Sequence, residues 1–142
     1  MKKTVFALIL MIIAVSFTAC SSPDVSEIVG TYDLIELTGT LTYGETEYEL
    51  DKDSYEYYQI ILREDGTACI RSKSLFTMAD VSREGTWKYS FGSIKITGKK
   101  EGNELTEKLR LKDGVLIYTT NVSDDSSALS LRLVLKKQET EN

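Results

Sequence analysis

Short runs in which apolar and polar residues alternate with period two are separated by glycine along nearly the whole chain. Beyond the first twenty residues no run has the length and 3.6-residue period of a crossover helix. Parallel strands need such crossovers, so the chain must fold as an antiparallel meander. The runs are Thr31 to Leu37, Leu41 to Leu50 with a break at Gly44, Tyr55 to Arg63, Thr67 to Ser72, Thr86 to Phe91, Ser93 to Thr97, Glu104 to Lys112, Val115 to Asn121 and Ala128 to Lys136. All nine glycines fall at or beside these boundaries. Asp65-Gly66 and Asp113-Gly114 suit the type I′ turn whose twist matches adjacent antiparallel strands.

The alternation assigns one apolar face. Ile60 and Leu62, Ala68 and Ile70, Trp87, Tyr89 and Phe91, Ile94 and Ile96, Leu109 and Leu111, Leu116 and Tyr118, and Leu129, Leu131, Leu133 and Leu135 are expected inward. Arg63, Arg71, Lys88, Ser90, Lys95, Arg110 and Arg132 between them belong in water. In the first run Tyr32 and Leu34 point one way while Ile35 and Leu37 point the other, which predicts a bulge. Eight or nine strands with one apolar face bury it most simply by closing on themselves, and closure also removes exposed edges. Val25, Ile28 and Val29 recur at helical spacing after Asp24, which predicts a short helical turn plugging the barrel end before the first strand.

Residues 1–19 read as an export signal. Lys2 and Lys3 precede an uncharged run from Val5 to Phe17, and small residues follow just before Cys20. The apolar run is short for a bilayer span, which needs about 20 residues. Phe17-Thr18-Ala19-Cys20 resembles the lipobox of bacterial lipoproteins, in which the cysteine is acylated and the signal is cut just before it. That resemblance implies lipidation at Cys20; a tether over 20–27 follows it, the barrel is expected over 28–137 and a disordered tail over 138–142. It also implies an extracytoplasmic domain at the surface of a bacterial envelope membrane.

Composition narrows the function. The chain carries 17 basic and 22 acidic residues, and two of the lysines fall in the signal, so the mature protein would be more acidic than the formal −5 of the whole. Nucleic acid is not an expected partner, because phosphate contacts need clustered positive charge. Lys99-Lys100 and Lys136-Lys137 read as solvated turn and tail residues. Histidine is absent, which removes the commonest general base and the commonest zinc ligand. The acidic stretch Glu45, Glu47, Glu49, Asp51, Asp53 and Glu56 fails as a calcium loop, since Glu56 stands where a glycine is needed and Leu62 where a bidentate glutamate is needed. No catalytic residue, metal or cofactor is expected, and the reading is non-enzymatic. With Cys20 acylated, Cys69 has no partner for a disulfide.

Gly30-Thr31-Tyr32 and Gly85-Thr86-Trp87 are near-copies of one motif. Together with Glu64-Asp65-Gly66-Thr67-Ala68, Ile94-Lys95-Ile96 and Asp113-Gly114-Val115-Leu116, they resemble the small lipocalin-like domains of bacterial lipoproteins, over roughly Val25 to Lys136. The resemblance implies a lipocalin-like up-and-down barrel, with Arg132 on the last strand packed over the Tyr32 ring. Two functions stay open on it: a module holding a small apolar ligand, and a structural or protein-interaction module of the envelope with a filled core. For the first, Trp87, Tyr89 and Tyr118 are the candidate cavity residues. Ser74 to Arg83 reads either as a connection carrying Leu75, Phe76 and Met78 to a portal or contact surface, or as a strand. Tyr55, Tyr57 and Tyr58 read as a strand with tyrosines on both faces.

Overall fold

The computed structural model describes residues 22–139, so the signal, Cys20 and residues 140–142 lie outside the described residues. Helix α1 (Val25–Ile28) is followed by nine strands: β1 (Gly30–Tyr43), β2 (Thr46–Asp51), β3 (Tyr55–Leu62), β4 (Thr67–Ser74), β5 (Asp80–Ser90), β6 (Ser93–Lys100), β7 (Asn103–Lys112), β8 (Val115–Ser123) and β9 (Ser127–Lys137). A single 3₁₀ turn, Lys52–Ser54, links β2 to β3. Every pairing is antiparallel, and β1 and β3 to β9 close into an eight-stranded barrel through β1 and β9. β2 is the extra strand. Its outer edge is unpaired among the described residues, and Glu47 and Glu49 across from Thr42 and Thr40 place charge on it, a known guard against edge-to-edge association. Among the described residues no helix is long and apolar enough to cross a membrane.

The expected bulge falls between Leu34 and Glu36 in the β1–β9 ladder. It leaves Ile35 about half exposed and turns both Leu34 and Leu37 into the core. One extra residue thus switches the inward set from even to odd numbers along a single strand.

The barrel has a closed half and an open half. Where α1, the start of β1, the end of β9 and the β3–β4, β5–β6 and β7–β8 turns gather, the ladders are continuous and the interior is filled. Ile28, Tyr32, Ile60, Leu62, Ile94, Leu109, Leu116, Leu133 and Leu135 are all fully buried there. Ile28 is the plug, and the Tyr32 hydroxyl donates to its carbonyl at 2.7 Å. Towards the other end the wall divides. β1 pairs with β3 only over Gly30–Asp33, and β7 pairs with β8 only over Leu109–Lys112. Beyond those points β8, β9, β1 and β2 form one flap and β3 to β7 the other.

Two residue placements differ from expectation. Arg132 does not pack on Tyr32. It lies on the outward face of β9, between inward Leu131 and Leu133, and its guanidinium pairs with Glu36 at 2.8 Å. The register places Lys137 opposite Tyr32, and the Lys137 ammonium donates to the carbonyls of Glu27 and Ser26 at 3.2 and 3.4 Å. Phe91 is not inward. It stands at the tip of the β5–β6 turn with φ of 47° and is fully exposed. The strand ends at Ser90, and the turn rotates the next side chain out of the alternation.

Candidate binding site at the open half of the barrel

The inner face of the open half follows from the register. Tyr48, Leu41, Leu129 and Val122 lie directly across from one another on β2, β1, β9 and β8. On the opposite flap Val81 faces Ser72, and Leu105 faces Gly98. These positions continue the inward alternation of the core; Leu41 and Leu129 are part-buried, with Leu129 packed against the core, but the other four large apolar side chains stay exposed. Val122 is 61% exposed, Tyr48 47%, Val81 39% and Leu105 36%. The β4–β5 connection adds Leu75, Phe76 and Met78, all exposed, at the same end. Large apolar side chains left exposed together at one end of a fold mark a binding surface more often than an accident of composition.

Below this rim the interior turns polar. Arg83 on β5 and Glu107 on β7 both point inward, and their side chains pair at 2.8 Å with most of their surface buried. Tyr58 stands beside them. Burial pushes its phenol above the usual value, the Glu107 carboxylate acts in the same direction, and the Arg83 guanidinium opposes it. Tyr55 meets Tyr58 edge to face with ring centres 5.7 Å apart. A bulge between Tyr55 and Tyr57 brings Tyr55 and Tyr58 to the inner face while Tyr57 points out, where its hydroxyl meets Asp80 and its ring lies under Arg71. Tyr32 and Tyr89 have bonded hydroxyls. Those of Tyr58 and Tyr118 make no hydrogen bond among the described residues.

Two openings reach this interior. Where β1 and β3 separate, a recess of about 200 Å³ runs from Leu34, Tyr55 and Tyr58 on the inner side to Asp33, Lys52, Glu56 and Tyr57. A smaller void of about 20 Å³ sits against Arg83 and Glu107 beside Gly85 and Gly98, enough for about one water.

The residues singled out as cavity candidates do not come together. Trp87 is buried in the closed half, where its indole N–H donates to the Arg63 carbonyl at 2.8 Å. Tyr89 is at the closed end, its hydroxyl accepting from the Gly92 N–H, beside a recess formed with Pro23, Glu27 and Leu111. Only Tyr118 borders the polar interior, within electrostatic reach of Tyr58. Ser74 to Arg83 divides between the two readings: Leu75 to Ala79 is a connection and β5 begins at Asp80.

Arg83 and Glu107 are the residues that sequence reasoning passes over. Glu107 was legible, since Leu105, Glu107, Leu109 and Leu111 share a face by period two. Arg83 was hidden because Ser74 to Arg83 reads equally as a connection or a strand, and because the parity of Ala79 and Val81 puts a charged residue on the apolar side. Among the described residues no group of three or more carboxylates or thiols is arranged to hold a metal ion.

No protein-family model matches the chain, and no curated protein matches it in sequence.

Proposed function

We propose that this protein is a non-catalytic, lipid-anchored binding module of the bacterial cell envelope, tethered through Cys20, whose open half takes a small and largely apolar ligand. The observation that carries the ligand reading is the row Tyr48, Leu41, Leu129 and Val122, which faces inward by register and whose outer members, Tyr48 and Val122, stay exposed. A purely structural barrel gains nothing by leaving an inner face open, since burying that surface would stabilise it by about 25 cal/mol for each Å². The Arg83–Glu107 pair and the free hydroxyls of Tyr58 and Tyr118 offer hydrogen bonds to one polar group on such a ligand, which fits a pocket that is mostly apolar with a few placed polar groups.

Titration with an apolar fluorescent probe tests the ligand reading. Uptake is expected, with probe emission enhanced in proportion to protein. Val122→Glu and Leu105→Glu, both at exposed positions away from the filled half, should each weaken it at least tenfold without lowering the unfolding midpoint. Absence of uptake, or uptake that both variants leave unchanged, would remove the binding role.

The anchor is tested separately. Cys20→Ala in the full chain is expected to abolish incorporation of labelled fatty acid and to release the processed domain from membranes. Two or three acyl chains hold a protein stably, whereas one alone holds it only marginally. A variant that stays labelled and bound would show that Cys20 is not the anchor.

A further inference from the structure

We propose that the outer wall of β5 to β7, next to the tether, is a docking face for an anionic lipid surface. This deepens the anchored reading above by fixing how the domain sits on its membrane.

The register places Lys88, Lys95 and Lys108 directly opposite one another on three adjacent strands, all pointing outward and all exposed. Like charges in that arrangement repel and cost stability. None of the three forms an ion pair among the described residues. Arg110 continues the patch one step towards the closed end; no acidic residue stands among these four, and Glu84 on the same face of β5 is paired with Arg63. Beside the patch, where β7 and β8 part, a recess of about 350 Å³ is lined by Lys108, Arg110, Ser93 and Thr119, donors suited to a phosphate headgroup, with Leu109, Ile117 and the Glu36-paired Arg132 completing it. The acidic residues of β2 and the 3₁₀ turn lie at the opposite end of the barrel; at the closed end the carboxylates are those of α1 and of the β3–β4 and β7–β8 turns, not of this wall.

Phe91 supplies the second observation. It protrudes fully exposed from the β5–β6 turn, between Lys88 and Lys95 in sequence, with φ of 47°. A bulky side chain is costly in that left-handed conformation, where glycine or asparagine fits without strain. An apolar ring held out against that strain, flanked by lysines, matches the chemistry of an interfacial contact in which the ring enters the headgroup boundary.

The tether reaches the same place. Pro23 lines a recess with Tyr89 and Leu111, at the ends of β5 and β7, whose other members are Glu27, Asp113 and Gly114. Cys20 is three residues earlier, a reach of about 10 Å. An acylated Cys20 would therefore hold the closed end against the bilayer, with the open half directed away from it.

Every residue of the core lies between Ile28 and Leu135, so a chain begun at Ser22 retains the whole core and can be tested without its anchor. The measurement is sedimentation of that domain with vesicles of neutral phosphatidylcholine and with vesicles that also contain anionic phosphatidylglycerol. Binding to the anionic vesicles alone is expected, and it should fall as salt is raised. A basic residue near such a surface contributes about a fivefold increase in affinity, so the triple variant Lys88→Gln, Lys95→Gln, Lys108→Gln should bind roughly 100-fold more weakly. Phe91→Gly should also weaken binding while raising the unfolding midpoint, which separates the membrane role from any structural one. Equal binding to both vesicle types, no binding at low salt, or unaltered binding of the triple variant would overturn the proposal. Because this domain lacks Cys20, the result does not depend on whether the chain is acylated.

Discussion

Trp87→Ala is expected to lower stability by about 3–5 kcal/mol, the range for truncating a large aromatic side chain in a packed core. The residue joins three parts of the closed half. Its ring packs in the core across from Ile96 on β6. Its indole N–H donates to the Arg63 carbonyl at 2.8 Å, and its backbone N–H donates to the Gly66 carbonyl at 2.9 Å. The β3–β4 turn is therefore fixed to β5 through one side chain and its own backbone. Alanine would leave a void and an unpaired carbonyl together. Trp87→Phe keeps most of the apolar body and removes only the indole bond, so a smaller loss of about 1 kcal/mol is expected. Urea unfolding followed by circular dichroism measures both, since Trp87 is the only tryptophan and its loss removes the fluorescence signal. Equal losses for the two variants would mean that the bond, not the packing, carries the stability.

The second large effect is expected at Gly85. A Cβ there would lie 2.5 Å from the Thr97 carbonyl oxygen, 3.0 Å from its carbon and 3.2 Å from the Gly98 Cα. All three are backbone atoms of the adjacent strand, so no side-chain rotation relieves the contact. Gly85 and Gly98 face each other across β5 and β6, and their missing side chains let the two backbones approach closely, as glycine does at the bends of small barrels. Gly85→Ala should cost about 3 kcal/mol, the upper part of the range for overpacking. Gly102→Ala is the internal comparison. It sits in a turn with φ of +84° and open space around it, so only the conformational cost of about 1 kcal/mol applies. A Gly85→Ala midpoint no lower than that of Gly102→Ala would show that the strands can separate there.

Gly85 and Trp87 also show what sequence can carry. Gly85-Thr86-Trp87 is visible as a motif, and the inward direction of Trp87 follows from alternation alone. The role of Gly85 does not, because a strand glycine can mark a bulge, a turn or a close approach, and only the position of Thr97 distinguishes them. The β1 bulge was legible for the opposite reason: Tyr32, Leu34 and Leu37 cannot all face inward unless one residue is inserted. Arg132 was misplaced because its expected role came from a resemblance, whereas its parity with Leu131 and Leu133 already put it outside. Phe91 was misplaced because alternation does not mark the residue at which a strand becomes a turn.

By itself the sequence determined an antiparallel all-β barrel, its inward residues in the closed half and the helical turn that plugs it. Those features depend on period-two alternation, glycine-marked turns and the absence of crossover helices, all of which are local. Tertiary structure alone decided that β2 lies outside the barrel and that the wall divides above Asp33 and Leu109. It also brought Arg83 to Glu107 and aligned three lysines on one outer face. Each of these depends on how strands distant in sequence are paired and how far each ladder extends. Pairing partners and ladder lengths are set by closure of the whole barrel, which no single run of residues encodes.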